Sequence, residues 1–391
     1  MHDLETLRPL FTAKFDTNPT FEIRASGRIN IIGEHTDYNM GFVLPAAIDK
    51  YIYFVGAKNG LDHFRVYAAD IDEYDTIDLA EPLVKSEKLW TNYLIGILDQ
   101  FRQRGVELAG LDCVFGGNLP LGSGMSSSAA LETGFATLVK EAFQVDISKP
   151  EMAQLAQSSS HQFVGVPCGI MDQFASLMGR EKQLVLLDCK SLDFKYIPCD
   201  LGQYQIVLIN SKVSHNLSDS AYKTRVKECG EGVAVLRKYQ KNLKSLRDAS
   251  TDLVLAHKAE LGETVFRRCL YVTSENERLL KVCEHLQQGE IEEVGALLFE
   301  THEGLRDLYE VSCKEVDFLV DFAKDYPGAI GSRIMGGGFG GCSINLVDKS
   351  KMSSFIEAVH LAYFEGFKVR SEAYEVKIVD GTDVVKTAIL S

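Results

Sequence analysis

No two cysteines of this 391-residue chain stand in C-x-x-C spacing, and the nine that occur are scattered and odd in number. That argues against a zinc site or a disulfide framework and for reduced thiols in a cytoplasmic protein. Blocks of lysine and arginine are missing too, and the formal net charge is -14. Nucleic acid and anionic membrane are therefore not expected as partners. No apolar run reaches membrane-spanning length, and the start, "MHDLETLRPLFTAKF", has no signal-peptide core. An acidic total still permits an anionic ligand, because a local pocket can be neutral or positive.

What remains is a balanced composition, 46% hydrophobic and 25% charged, typical of a globular protein of two to three domains. The first half alternates strand-like runs ("YIYFVGAKN", "HFRVYAAD", "DCVFGGNLP") with an amphipathic helix over "LWTNYLIGILDQFRQRG". Leu131, Phe135, Leu138 and Ala142 mark one face of a further helix. "QLVLLDCKSL" and "YQIVLINS" read as strands on either side of residue 200, and 222–325 reads mostly as helix. There, Val226, Cys229, Val233 and Leu236 keep helical spacing. "CSINLV" and "SEAYEVKIV" read as strands flanking a last helix near 350–365. The expectation is two α+β domains, 1–200 and 201–391, with a cleft between them.

Three stretches carry candidate chemistry. "GNLPLGSGMSSSAALE" has the glycine spacing of a phosphate loop but no lysine, and no charged side chain occurs from Cys113 to Leu131. Glycine lets backbone approach a ligand closely, and serines at a helix start face its unpaired N–H groups, so an anion could be held without a lysine. The same serines would equally cap a helix after a tight turn. "GSRIMGGGFGGCSINLV" contains G-x-G-x-x-G, but a strand-like run follows where a dinucleotide fold needs a helix. The absence of "HRD" and "DFG" excludes the protein-kinase pattern. In "GRINIIGEHTDYNMGFVLP", Arg28, Glu34, His35 and Asp37 crowd ten residues between apolar segments. They suit the hydroxyls of a polar ligand, or an ordinary surface loop with an Asx-turn.

Together and in this order, the three stretches resemble the GHMP family of small-molecule kinases, and within it the members that act on galactose. "PCGIMDQFAS" and "LRDLYEVSC" resemble two further blocks of that family, so the likeness runs from about residue 22 to 347. It implies a two-domain α+β fold in which ATP and a sugar meet in the cleft, and transfer of phosphate to the anomeric hydroxyl of galactose. It implies that Asp172 is the base and Arg28 its charge-stabilising partner. Glu34, His35, Asp37, Gly169 and Tyr222 would read the sugar. Trp90 and Tyr93 would flank the adenine, while Gly122, Ser123, Gly124, Ser126, Ser127 and Ser128 would hold the phosphates. Mg²⁺ would be bound through Ser128. The implied partners are the sugar and ATP alone, with no nucleic acid and no membrane, in a monomer. A kinase for N-acetylgalactosamine, arabinose or a uronic acid, and a non-catalytic regulator that binds sugar and ATP, are the alternatives.

The chain departs from the family pattern at Ser26, Met40 and Met335, where Pro, Gly and Thr are usual. A fourth departure touches the chemistry. Twelve residues before Asp172, where the family commonly has a glutamate that helps hold magnesium, stands Ser160. A neutral hydroxyl is a poorer ligand for a hard dication than a carboxylate, so a weaker hold on magnesium is expected.

Overall fold

The computed structural model describes residues 2–80, 82–213 and 218–387. The first half builds a six-stranded sheet in the order β13-β1-β3-β6-β4-β5. Its strands are β1 (Phe21–Asn30), β3 (Pro45–Lys58), β4 (His63–Ala68), β5 (Glu73–Asp78), β6 (Leu111–Gly117) and β13 (Asp383–Thr387). A small sheet, β2 (Phe42–Val43), β7 (Gln183–Asp188) and β8 (Phe194–Pro198), lies beside it. All pairs are antiparallel except β4 with β6.

Helix α1 (Leu4–Phe15) covers one face of the large sheet. It starts where Asp3 accepts the Thr6 N–H at 2.9 Å while the Thr6 hydroxyl accepts the Asp3 N–H, a reciprocal cap. The other face is covered by α3 (Ser127–Phe143), with α2 (Leu89–Gln103), α4 (Lys149–Ser159) and α5 (Met171–Met178) packed around it. The expected face of Leu131, Phe135, Leu138 and Ala142 is buried, but so are most other positions of α3, which is enclosed on all sides. Close approach is secured at Gly134. A Cβ there would lie 2.2 Å from the Phe54 ring and 2.7 Å from the Ala25 methyl.

The second half folds around the antiparallel sheet β10-β11-β9-β12, formed by β9 (Tyr204–Asn210), β10 (Ala329–Ile334), β11 (Cys342–Asp348) and β12 (Glu372–Glu375). Val207 and Ile209 face a cluster with Phe355, Val359 and Tyr363, whereas Ile206 and Leu208 join the main core on the other side. Burial on both faces explains why "QIVLIN" reads as a continuous apolar run rather than an alternating one. Helices α11 (Lys314–Asp325) and α12 (Met352–Phe367) contribute to that outer cluster. The expected helical region is α6 (Ser218–Leu236), α7 (Thr251–Ala256), α8 (Lys258–Leu261), α9 (Glu263–Gln288) and α10 (Ile291–Glu303). Cys229 and Leu236 of α6 are buried against Phe266 and Cys269, while Val226 and Val233 are half-buried.

The division expected at 200/201 falls just before β9. The second half does not, however, keep its own tail: β13 crosses back and pairs with β1, Phe21 opposite Thr387. The main core is also continuous across the division, running from Phe21 to Val376. No helix among the described residues is long and apolar enough to cross a membrane.

Gly134→Ala is expected to lower stability by roughly 1–3 kcal/mol, because the Phe54 ring and Ala25 on the sheet must move to admit the methyl. Urea unfolding of the two proteins measures it, and equal midpoints would show that the contact between α3 and the sheet yields freely.

Candidate active site

Each chain segment delivers its reactive group by a local device. The β1 strand carries Arg28, whose backbone N–H also donates to the Met125 carbonyl at 3.1 Å. The turn after β1 runs through Gly33 (φ 98) and His35 (φ 62) into a short 3₁₀ turn over Asp37–Asn39, which places Glu34, His35 and Asp37 together. The loop before α3 takes left-handed backbone at Gly122, Gly124 and Ser126. Asp172 stands in the first turn of α5.

These elements wall a cavity of about 360 Å³. Arg28, Glu34, His35 and Asp37 line it with Gly122–Ser128, Gly169, Asp172 and Tyr222, joined by Lys223, Gly336 and Gly337. Every residue expected to hold sugar or phosphate is therefore gathered in one place. Trp90 and Tyr93 are the exceptions. They do not line this cavity, and the Trp90 indole N–H donates to Glu73 at 2.7 Å with its ring against Phe115.

Arg28 grips Asp172 with two parallel hydrogen bonds, Nε to Oδ1 at 2.8 Å and NH2 to Oδ2 at 2.9 Å. Its remaining nitrogen donates to the Gly124 carbonyl at 2.5 Å. Burial works against the Arg28 charge, but Asp172, Glu34 and Asp37 outweigh it and hold the guanidinium above its ordinary range. Ser126 donates to the same Asp172 carboxylate at 2.5 Å, so the loop is tied to the aspartate as well as to the arginine.

In the turn after β1, burial pushes His35 down to about 3, so its ring is neutral. Nδ1 meets the Tyr38 hydroxyl at 3.0 Å, while Nε2 is buried without a hydrogen-bond partner. An orphaned imidazole nitrogen on a cavity wall is suited to a ligand hydroxyl. Tyr309, from the "LRDLYEVSC" block, and Tyr222 pack against the His35 ring at 5.0 and 5.6 Å. Burial, then the neighbouring Asp172, raises Asp37 to about 7. The Asp37 carboxylate presses so close to the Gly169 backbone that a Cβ at 169 would lie 1.6 Å from Oδ2.

Glu34, expected to read the sugar, lines the cavity, and its Oε1 accepts from Arg333 at 3.0 Å and from the Gly336 N–H at 2.9 Å. Sequence reasoning assigned no role to Arg333. The available signal was a single arginine in the otherwise apolar strand "AIGSRIM". Ser160 is buried and does not line the cavity. Its hydroxyl donates to Glu132 Oε1 at 2.5 Å, and Gln173 donates to the other carboxylate oxygen at 3.0 Å. Glu132 went unnoticed because it merely ended an uncharged run. Among the described residues no cluster of three His, Cys, Asp or Glu side chains is arranged to hold a metal ion.

Comparison with known proteins gives the family. Residues 92–180 match the GHMP kinases N terminal domain, 281–365 match GHMP kinases C terminal, and 9–58 match the galactokinase galactose-binding signature. A galactokinase of Thermotoga neapolitana is 40% identical over 365 residues, covering 93% of this chain and 99% of the relative. One from Roseiflexus sp. is 38% identical, covering 97% of both chains. The solved Lactococcus lactis galactokinase complexed with galactose superposes with a TM-score of 0.92 at 31% identity, over 97% of this chain and 99% of that one. A mevalonate kinase at 16% identity and TM-score 0.65 shares the fold. Fold and cleft thus define the class, a two-domain α+β small-molecule kinase of the GHMP type. Within that class, the chain belongs to the galactokinase family.

Two outcomes are expected. Gly169→Ala drives the Asp37 carboxylate out of place, so calorimetry should show a loss of galactose binding of tenfold or more with ATP binding kept. Unchanged galactose affinity would remove Asp37 from the sugar site. The second concerns Glu132, which burial raises to about 7 from an ordinary 4.5, partly opposed by the bonds from Ser160 and Gln173. Folding then takes up a proton between these values, so the contribution of Glu132 to stability falls as pH rises from about 4.5 to about 7. In Glu132→Gln, denaturation across that window should show a slope flatter by up to about one proton. An unaltered slope would mean that Glu132 is already ionised in the folded protein.

Proposed function

We infer that the chain is an ATP-dependent sugar kinase that phosphorylates the anomeric hydroxyl of D-galactose, giving galactose 1-phosphate and ADP. The observation that carries this reading is the Arg28–Asp172 pair standing between the sugar-side residues and the glycine–serine loop. In transfer, the anomeric oxygen forms a bond to the γ-phosphorus as the bond to the β-phosphate bridge breaks. The hydroxyl proton passes to the Asp172 carboxylate. In a loose phosphoryl-transfer transition state little proton removal is needed early, so positioning and charge neutralisation supply most of the acceleration. Asp172 orients the hydroxyl and finally accepts its proton. Arg28 steadies the charge that develops, and its hold on the Gly124 carbonyl keeps the loop at the reacting centre.

His35 Nε2, Asp37, the Gly169 backbone and Tyr222 read the sugar hydroxyls, with Glu34 contributing the oxygen that Arg333 leaves free. No lysine or arginine stands in the 34–37 block to pair with a uronate, which favours a neutral sugar. The ATP phosphates lie along Gly122, Ser123, Gly124, Ser126, Ser127 and Ser128, at the N-terminus of α3, where unpaired N–H groups and the helix dipole attract anions. Trp90 and Tyr93 flank the adenine beyond the cavity described above. Ser128, an exposed hydroxyl in the first turn of α3, would be the protein ligand for magnesium arriving with the phosphates. That donor set suits an ion that keeps most of its waters. Mg²⁺ held there would supply positive charge that offsets the charge of the phosphates. With the Ser160 hydroxyl engaged by Glu132, the metal lacks a carboxylate at that position. The protein acts as a cytoplasmic monomer, and its nine free thiols suit a reducing compartment.

Asp172→Asn tests the assignment. Turnover should fall by about 10²–10⁴-fold while galactose still binds. A variant with near-normal turnover would exclude Asp172 as the base. Coupled ADP release across a panel of monosaccharides tests the substrate, and turnover with another sugar but not galactose would move the reading to a related kinase.

A further inference from the structure

The glycine–serine loop holds no cation, yet the triphosphate assigned to it carries several negative charges. Arg28 and Lys223 are the arginine and lysine on the cavity wall, and His35 is neutral. Three of the five N–H donors of Arg28 are committed within the protein, Nε and NH2 to Asp172 and NH1 to the Gly124 carbonyl, and its charge is paired with the Asp172 carboxylate. Lys223 differs. It lies in the second turn of α6, is exposed, and forms no ion pair with a carboxylate among the described residues. Its neighbour Tyr222 packs against His35 and Tyr38 at 5.6 and 5.1 Å, which anchors this end of α6 beside the sugar side of the cleft. Lys223 lines the same cavity as Gly122–Ser128, Asp172 and Gly336.

The carboxylates facing this space are accounted for. Asp172 is paired with Arg28, Glu34 with Arg333, and Asp37 is raised to about 7 by burial and by Asp172. The positive charge of Lys223 is therefore available to a ligand. The N-terminus of α3 also lines the cavity through Ser127 and Ser128, and its dipole favours an anion there.

We propose that Lys223 binds the β- and γ-phosphates of ATP from across the cleft, supplying the cation that the phosphate loop lacks. The inference rests on the kinase reading above and adds a residue to it. Lysine suits the task as a compact point charge on a flexible stem, able to follow a phosphoryl group as it moves between the two substrates. Its exposure means that it can be replaced without opening a core.

Calorimetric binding of ATP and AMP in EDTA, and of galactose alone, tests the proposal without requiring turnover. Lys223→Met should weaken ATP by about tenfold or more, leave AMP and galactose unchanged, and be restored by Lys223→Arg. The midpoint of thermal unfolding should be the same in all three proteins. Unchanged ATP affinity in Lys223→Met overturns the proposal, as does equal weakening of ATP and AMP, or a loss of galactose binding. Galactose turnover by the unaltered protein is read separately. If it binds ATP but does not phosphorylate galactose, the substrate assignment fails and the Lys223 result still stands. If it binds no ATP, both fail.

Discussion

The arrangement of the cleft depends on one buried charge. Arg333 is fully enclosed on β10, where an unpaired guanidinium would be very costly. It is satisfied by the carbonyls of Asn30, Ile31 and Ile334 and by the Glu34 carboxylate. All of these except Ile334 belong to the N-terminal half, so the guanidinium cannot be satisfied unless the two halves meet in one register. Because Glu34 also receives the Gly336 N–H, the same contact sets the second glycine loop. That loop then lies against the first, with Gly124 and Gly336 close enough that a Cβ on either would be 3.5 Å from a carbonyl of the opposing loop.

From this contact the division of labour in the cleft follows. Charges that would repel a phosphate are neutralised within the protein, Asp172 by Arg28 and Glu34 by Arg333. A polar atom on the side proposed to bind sugar, His35 Nε2, is left open. The aromatic group of His35, Tyr38, Tyr222 and Tyr309 holds that open nitrogen in a rigid setting, and the Tyr38 hydroxyl bonds Tyr309 at 2.7 Å. Residues from β1, the 34–37 turn, α5, α6 and the loop after β10 converge on a few ångströms. Such preorganisation is what a reaction that relies on positioning requires.

Much of this was legible along the chain because it is written in local patterns. Strand and helix periods located the elements around Leu131–Ala142 and "YQIVLIN", and uncharged glycine–serine stretches marked both loops. The ordered motifs pointed to Arg28, Asp172 and the 34–37 block. What escaped is what depends on partners distant in sequence. Arg333 meets Glu34 almost three hundred positions away, Ser160 meets Glu132 on another helix, and β13 returns to β1 across nearly the whole chain. Trp90 and Tyr93 show the converse, since helical spacing located them but did not say which way they face.

The sequence by itself therefore determined the kinds of elements, the chemical repertoire of the loops and the family that carries them, because each depends on residues near one another in the chain. Only the tertiary structure decided which charges cancel. It tied Glu34 to Arg333, turned Ser160 toward Glu132 rather than the cavity, and left Lys223 on the cavity wall without a carboxylate partner among the described residues. The physical reason is that the energy of a charge is set by burial and by neighbours in space, and neither is a property of chain order.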